Sequence, residues 1–150
     1  MSSVIEKTLA LLGAAASIAA GAAIAQLPIL ELSAGIHLIR AEVAYTFETR
    51  AQGLMFRNHL GSNEGMFFVF PQSEPYCMWM KNTLIPLSVA FVDEKGKIVS
   101  VSEMQPQTET SHCAAAPAKF ALEMPAGWFA RKGIKPGTTI QGFEKAPAAR

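Results

Sequence analysis

Gly65-Met66-Phe67-Phe68-Val69-Phe70 contains no polar side chain and runs straight into Pro71. A run this short reads as a strand rather than a buried helix, and one that is apolar on both sides needs cover on both faces. Upstream, residues 36–45 set Ile39, Ala41, Val43 and Tyr45 against Arg40 and Glu42, the period of a half-buried strand. Downstream, Tyr76–Met80 and Leu87–Asp93 read as strands joined by a polar corner at Lys81-Asn82-Thr83 and an extended dipeptide forced by Pro86. Asp93-Glu94-Lys95-Gly96 is a hairpin turn, so Lys97–Met104 should return antiparallel to Leu87–Asp93. Lys119–Met124 alternates with Phe120, Leu122 and Met124 inward, and Pro136-Gly137 turns into a last strand at Thr138–Gly142.

Helix is confined to short pieces: Phe47–Met55, stopped near Gly53, and Ala126–Lys132, ended by Gly133. Gln105–Pro117 reads as a long loop, and the tail after about residue 143 as frayed. About seven short strands between turn signals predict a mainly β (β-rich α+β) fold, a compact sandwich or partly closed barrel with short helices.

The chain has 150 residues, half of them apolar, and a formal charge of +1 from 13 bases and 12 acids. That is enough for one domain with a real core, residues 26–150, and it provides no basic field for nucleic acid. Leu9–Ala25 is uncharged and alanine-rich and ends in Ala23-Ile24-Ala25, so residues 1–25 read as a cleaved secretory signal. The alternative is a retained anchor, although the run is short of the roughly 20 residues a spanning helix needs. Only such a retained segment would touch the membrane. The expected location is the periplasm or the cell exterior. No cysteine follows the run, which removes a lipid-anchored form. In an exported chain the two cysteines, Cys77 and Cys113, are expected to form a disulfide, contributing about 4 kcal/mol by closing the loop between them. A catalytic Cys113 served by adjacent His112 is disfavoured, because neighbours on an extended segment point to opposite faces.

Five ordered segments carry a family resemblance: GLMFR at Gly53–Arg57, GMFFVF at Gly65–Phe70, WMKNTLIPL at Trp79–Leu87, FVDEKGKIV at Phe91–Val99 and FALEMPAG at Phe120–Gly127. Gly133-Ile134-Lys135-Pro136-Gly137 follows them. Together they resemble the domain of unknown function 192 family, also called uncharacterised protein family 0127, across about residues 36–142. The resemblance implies a compact, mostly β fold with short helices, often exported, and no known activity. Ser88 stands where that family often has Asp.

Chemistry has few places to sit. Trp79, Lys81, Asn82 and Thr83 put an aromatic plate beside a cation and an amide, which suits a small anionic or carbohydrate-like ligand. The competing reading has Lys81 snorkelling to water while Asn82 and Thr83 satisfy a turn. Arg57 and Glu123 each sit beside an apolar run. In one cleft with Lys81 they would clamp an anion and orient a donor; otherwise they form structural ion pairs. Met78 and Met80 beside Cys77 raise a copper site, against which a disulfide would consume the thiol and methionine is ordinary core filler. His37, His59 and His112 show no ligand spacing. No catalytic set, metal or cofactor is therefore assigned. Three functions remain: binding of an unknown small ligand or envelope component, action on an envelope polymer with Glu123 as acid/base, and an adaptor role through an apolar patch at Trp128-Phe129.

Overall fold

The computed structural model describes residues 25–150. In chain order the elements are β1 (Ile29–Ala34), β2 (His37–Ala44), α1 (Phe47–Gln52), β3 (Glu64–Glu74), β4 (Cys77–Met78), β5 (Leu87–Val92), β6 (Ile98–Met104), β7 (His112–Cys113), β8 (Ala118–Pro125), α2 (Trp128–Arg131) and β9 (Ile140–Gln141). A 3-10 turn follows at Phe143–Lys145. Seven strands form one sheet in the order β6-β5-β8-β3-β2-β1-β9, while β4 pairs only with β7 in a separate ribbon. β2 and β3 run parallel, and the other neighbours run antiparallel.

The sheet curls until its two edges touch. Lys97, just before β6, bridges Thr139, just before β9. The Ile98 amide donates to the Thr138 carbonyl at 2.9 Å and the Ile140 amide to the Gly96 carbonyl at 2.7 Å. The fold is therefore mainly β, a partly closed barrel carrying two short helices, as strand number and turn spacing predict.

Alternation along β3 feeds two cores. Phe67 and Val69 join Leu32, Ile39, Ile98, Leu122, Trp128 and Ile140 in one cluster, which must be the concave side because it draws on both edges of the sheet. Met66, Phe68 and Phe70 join Leu54, Met80, Val89, Phe91 and Ala121 on the convex side. That second face is covered by α1 and the β4–β7 ribbon, so Gly65–Phe70 is buried throughout, as its composition requires. α1 starts at a reciprocal cap between Thr46 and Thr49 and stops at Gly53, whose φ of 50° suits the residue without a Cβ.

Several expectations need correction. β1 lies outside the segments read as strands, although Leu30, Leu32 and Ala34 alternate with Ile29, Glu31 and Ser33. β3 runs through Pro71 to Glu74, because the register with β8 shifts between Val69 and Glu74 and no partner there needs a proline N–H. The expected strand Tyr76–Met80 shrinks to Cys77–Met78, and its partner β7 lies inside the segment read as loop. β8 is buried on both faces, taking in Ala121 and Glu123 as well as Phe120, Leu122 and Met124. The tail expected to fray is docked: Phe143, Ala146 and Ala149 lie against the barrel core, and the Arg150 guanidinium sits over the Tyr45 ring at 5.1 Å. The expected export segment falls, apart from Ala25, outside the described residues.

Candidate functional site

Glu123 faces the convex side of the sheet, directly opposite Met66 on β3 and Val89 on β5. Neighbours of that kind offer a carboxyl neither a charge nor a donor. Glu123 is only 4% exposed, and it makes no side-chain hydrogen bond or salt bridge among the described residues. Burial alone pushes its carboxyl up to about 8, so it is protonated at neutral pH. No fully buried side-chain oxygen or nitrogen among the described residues lacks a partner, so the unpaired Glu123 carboxyl must touch open space.

That space is a cavity of about 440 Å³ between α1 and the ribbon. α1 and the turn after it supply one wall through Phe47, Arg50, Gly53 and Met55, and Tyr76–Trp79 supply the other. Phe68, Phe70 and Glu123 form the floor. Gly53 brings α1 close to it, since a Cβ there would stand 3.3 Å from the Phe68 ring. Phe70 and Tyr76 stack with centroids 3.9 Å apart, extending an aromatic surface that ends at Trp79, which is 47% exposed at the mouth. The cavity is thus mostly apolar with a few converging polar groups, the usual make-up of a small-molecule site.

Of the residues nominated from sequence, Trp79, Thr83 and Glu123 line this cavity, as does Cys77. Arg57, Lys81 and Asn82 do not. Arg57 forms a two-pronged pair with Glu42 at 2.6 and 2.7 Å, lining a neighbouring cavity of about 490 Å³ beyond the C-terminal end of α1. The hydrogen bond from Arg57 is the main cause holding the Glu42 carboxyl below its ordinary value, and the same bond raises Arg57. Of the two arrangements open to them, Arg57 takes the structural ion pair, and Glu123 lines a different cavity without a partner among the described residues.

Lys81 does lie over the Trp79 ring, 5.3 Å from its centroid, but on the outer side, with Glu109 at 4.0 Å. Asn82 takes the left-handed φ of 53° that closes the corner, and its carbonyl accepts from the Phe56 amide at 2.9 Å. Thr83 Oγ1 donates to the Lys81 carbonyl at 3.1 Å, so turn chemistry accounts for both Asn82 and Thr83. The cavity residues missed from sequence are chiefly Phe47, Arg50, Met55, Phe70 and Tyr76. Phe47 offered a signal, being an aromatic side chain on the first turn of a helix too short to bury it.

The other candidates have structural roles. Cys77 and Cys113 are disulfide-bonded as cross-strand partners, which is compatible with an oxidising compartment. The bond removes the thiolate from the copper reading, and Met80 is fully buried in the convex core. Among the described residues no group of three or more His, Cys, Asp or Glu could hold a metal ion. His37 stands edge-on to Trp128 at 6.3 Å. Trp128 and Phe129 are buried in the core, which leaves no exposed apolar patch at that pair for the adaptor reading. Ser88 Oγ accepts from the Gly127 amide at 2.7 Å and donates to Glu103 across the hairpin, fixing the turn before α2.

The DUF192 family model, described as Uncharacterized ACR, matches residues 29–142. A solved protein of unknown function from Novosphingobium aromaticivorans DSM 12444 is 38% identical, with a TM-score of 0.74 over 77% of this chain and 86% of that one. A Sinorhizobium meliloti 1021 protein described as a "putative transcription regulator" is 32% identical, with a TM-score of 0.71 over 76% of this chain and 92% of the other. No curated protein matches significantly. The matched residues run from β1 through β9, and on that evidence the chain belongs to the DUF192 family.

Proposed function

We propose that the protein is an exported, non-enzymatic binding domain that takes a small, largely apolar molecule into the cavity between α1 and the β4–β7 ribbon. The observation that carries this reading is Glu123, a buried carboxyl with no protein partner among the described residues that opens onto an aromatic-lined cavity. A structural carboxyl would be paired; an unpaired one is costly to bury and is explained by a ligand that accepts its proton in a hydrogen bond. The alanine-rich leader and the disulfide support export.

Calorimetric titration with a panel of small apolar molecules, sugars and cell-wall fragments tests it. Hits should lose about tenfold or more in affinity in Trp79→Ala and in Glu123→Leu, as loss of a stacking plate or a donor implies. Hits that bind both variants as tightly as the parent would place the site elsewhere.

A second reading, an enzyme acting on envelope polymers, gains from the same residue. A carboxyl protonated at neutral pH is matched to general-acid work. Turnover of such a polymer that disappears in Glu123→Gln, with the fold intact, would select it. The Sinorhizobium relative, described as a regulator of transcription, raises nucleic acid, but a formal charge of +1 gives little phosphate-neutralising field, and that role is not proposed.

A further inference from the structure

Arg50 is the one cation among the described residues of the cavity wall, and its surroundings are unusual for an arginine. Its Nη1 donates to the Tyr45 carbonyl at 2.7 Å and to the Val69 carbonyl at 3.1 Å. The second carbonyl lies where β3 leaves its register with β8. These bonds hold the guanidinium still without neutralising it. The three salt bridges among the described residues use Arg40, Arg57 and Lys81 instead. Nε and Nη2 of Arg50 have no hydrogen-bond partner among the described residues, and since no fully buried polar side-chain atom there lacks one, both remain reachable. A planar fork fixed at one nitrogen and free at the others is the geometry that takes a carboxylate through two parallel bonds.

From this pairing of a fixed guanidinium, free of any salt bridge among the described residues, with an aromatic wall, we infer that the ligand is a small apolar carboxylate, its anionic end on Arg50 and its hydrocarbon body against Phe70, Tyr76 and Trp79. The inference rests on the binding reading above and narrows it. Glu123 fits the same ligand: in its neutral form it does not repel an anion, and it can donate to an ether, keto or hydroxyl oxygen on the ligand body. A cationic amine is disfavoured, since it would share the cavity with Arg50. A cavity of about 440 Å³ suits one such molecule rather than a polymer chain.

The test compares 3-phenylpropanoate with 3-phenylpropanamide by calorimetry on the disulfide-intact protein. The acid should bind at least about tenfold tighter than the amide, as a charge-assisted pair implies. Arg50→Gln should abolish that preference, the acid losing several-fold more affinity than the amide, and Arg50→Lys should keep part of it. Equal binding of acid and amide to the parent overturns the inference but spares the binding reading if Trp79→Ala weakens both. Equal losses of acid and amide in Arg50→Gln also overturn it, since Arg50 would then only tether α1. Binding by no apolar probe overturns both readings. Should Arg50→Gln fail to fold, the Arg50 Nε–H resonance of the parent decides: a downfield shift on adding the acid supports the pairing, and no shift refutes it.

Discussion

Glu123 turns a single buried group into a measurable pH dependence. Its carboxyl rises from an ordinary 4.5 to about 8, so the folded chain holds the proton more tightly than the unfolded one. Below pH 4.5 both states are protonated and nothing is lost. Between 4.5 and 8 the unfolded chain releases the proton while the folded chain keeps it, so stability falls as pH rises; above 8 the folded carboxyl ionises too and the loss levels off. At pH 7 the accumulated cost is on the order of 3 kcal/mol. Glu123→Gln should therefore match the parent near pH 4.5 and exceed it increasingly toward pH 8 in urea unfolding. A constant difference across that range would mean that Glu123 is ionised in the fold. Gly96 makes a steric case at the same scale. Its φ is 84°, and a Cβ there would stand 2.8 Å from the Ile140 carbonyl and collide with the Phe143 ring. Gly96→Val should cost more than the 1–3 kcal/mol or so of positive φ alone, and a neutral result would refute both turn and contact. The hairpin is legible in the sequence because Asp93-Glu94-Lys95-Gly96 is local chemistry. The isolation of Glu123 is not, because alternation assigns it to solvent while α1 and the ribbon, elements distant in sequence, cover that face.

Among the elements, the β4–β7 ribbon, which with its flanking residues forms one wall of the cavity, is the least visible in the sequence. A period-two pattern runs the strand on to Met80 and so places Trp79 and Lys81 on one working face. The strand ends at Met78, Met80 turns into the core, and Lys81 is left on the outside. With two residues in each strand, the ribbon is held by the Cys77–Cys113 bond, the Ala114 amide to the Tyr76 carbonyl at 2.8 Å, and the Met80 amide to the Thr108 carbonyl at 2.9 Å. Reduction should lower the melting midpoint by several degrees, because about 4 kcal/mol of loop closure is released into the unfolded state. It should also weaken any ligand that touches Trp79, since Tyr76–Trp79 form a wall. An unchanged midpoint under reducing conditions would show that the ribbon stands without the bond. α1, by contrast, is legible in extent, since its cap and its terminal glycine are neighbours in sequence.

At the scale of the whole molecule, the strands and turns are readable and the closure is not. Which edge meets which depends on a bridge between Lys97 and Thr139, two residues with no local signal. The tail escapes sequence reasoning for the same reason: Pro147, Arg150 and the alanines between and beside them look like a frayed end until the barrel offers them a surface. Phe143 lies 5.4 Å from the Phe120 ring, centroid to centroid, and a Cβ on Gly96 would collide with it, so the 3-10 turn sits beside the seam where the two edges join. Arg150 closes the path, its amide donating to the Tyr45 carbonyl at 2.8 Å. Truncation after Gly142 removes Phe143, Ala146 and Ala149 from the barrel together with that tie. It should cost about 2–4 kcal/mol in chemical unfolding, the range for deleting a large packed side chain and its neighbours. The loosened seam would also leave strand edges free to pair, so the truncated chain should self-associate with rising concentration in sedimentation runs where the parent does not. A loss below about 0.5 kcal/mol, the level of an ordinary surface change, would return the tail to the frayed state that its composition suggests. The Lys97–Thr139 bridge would then be closing the barrel without its support.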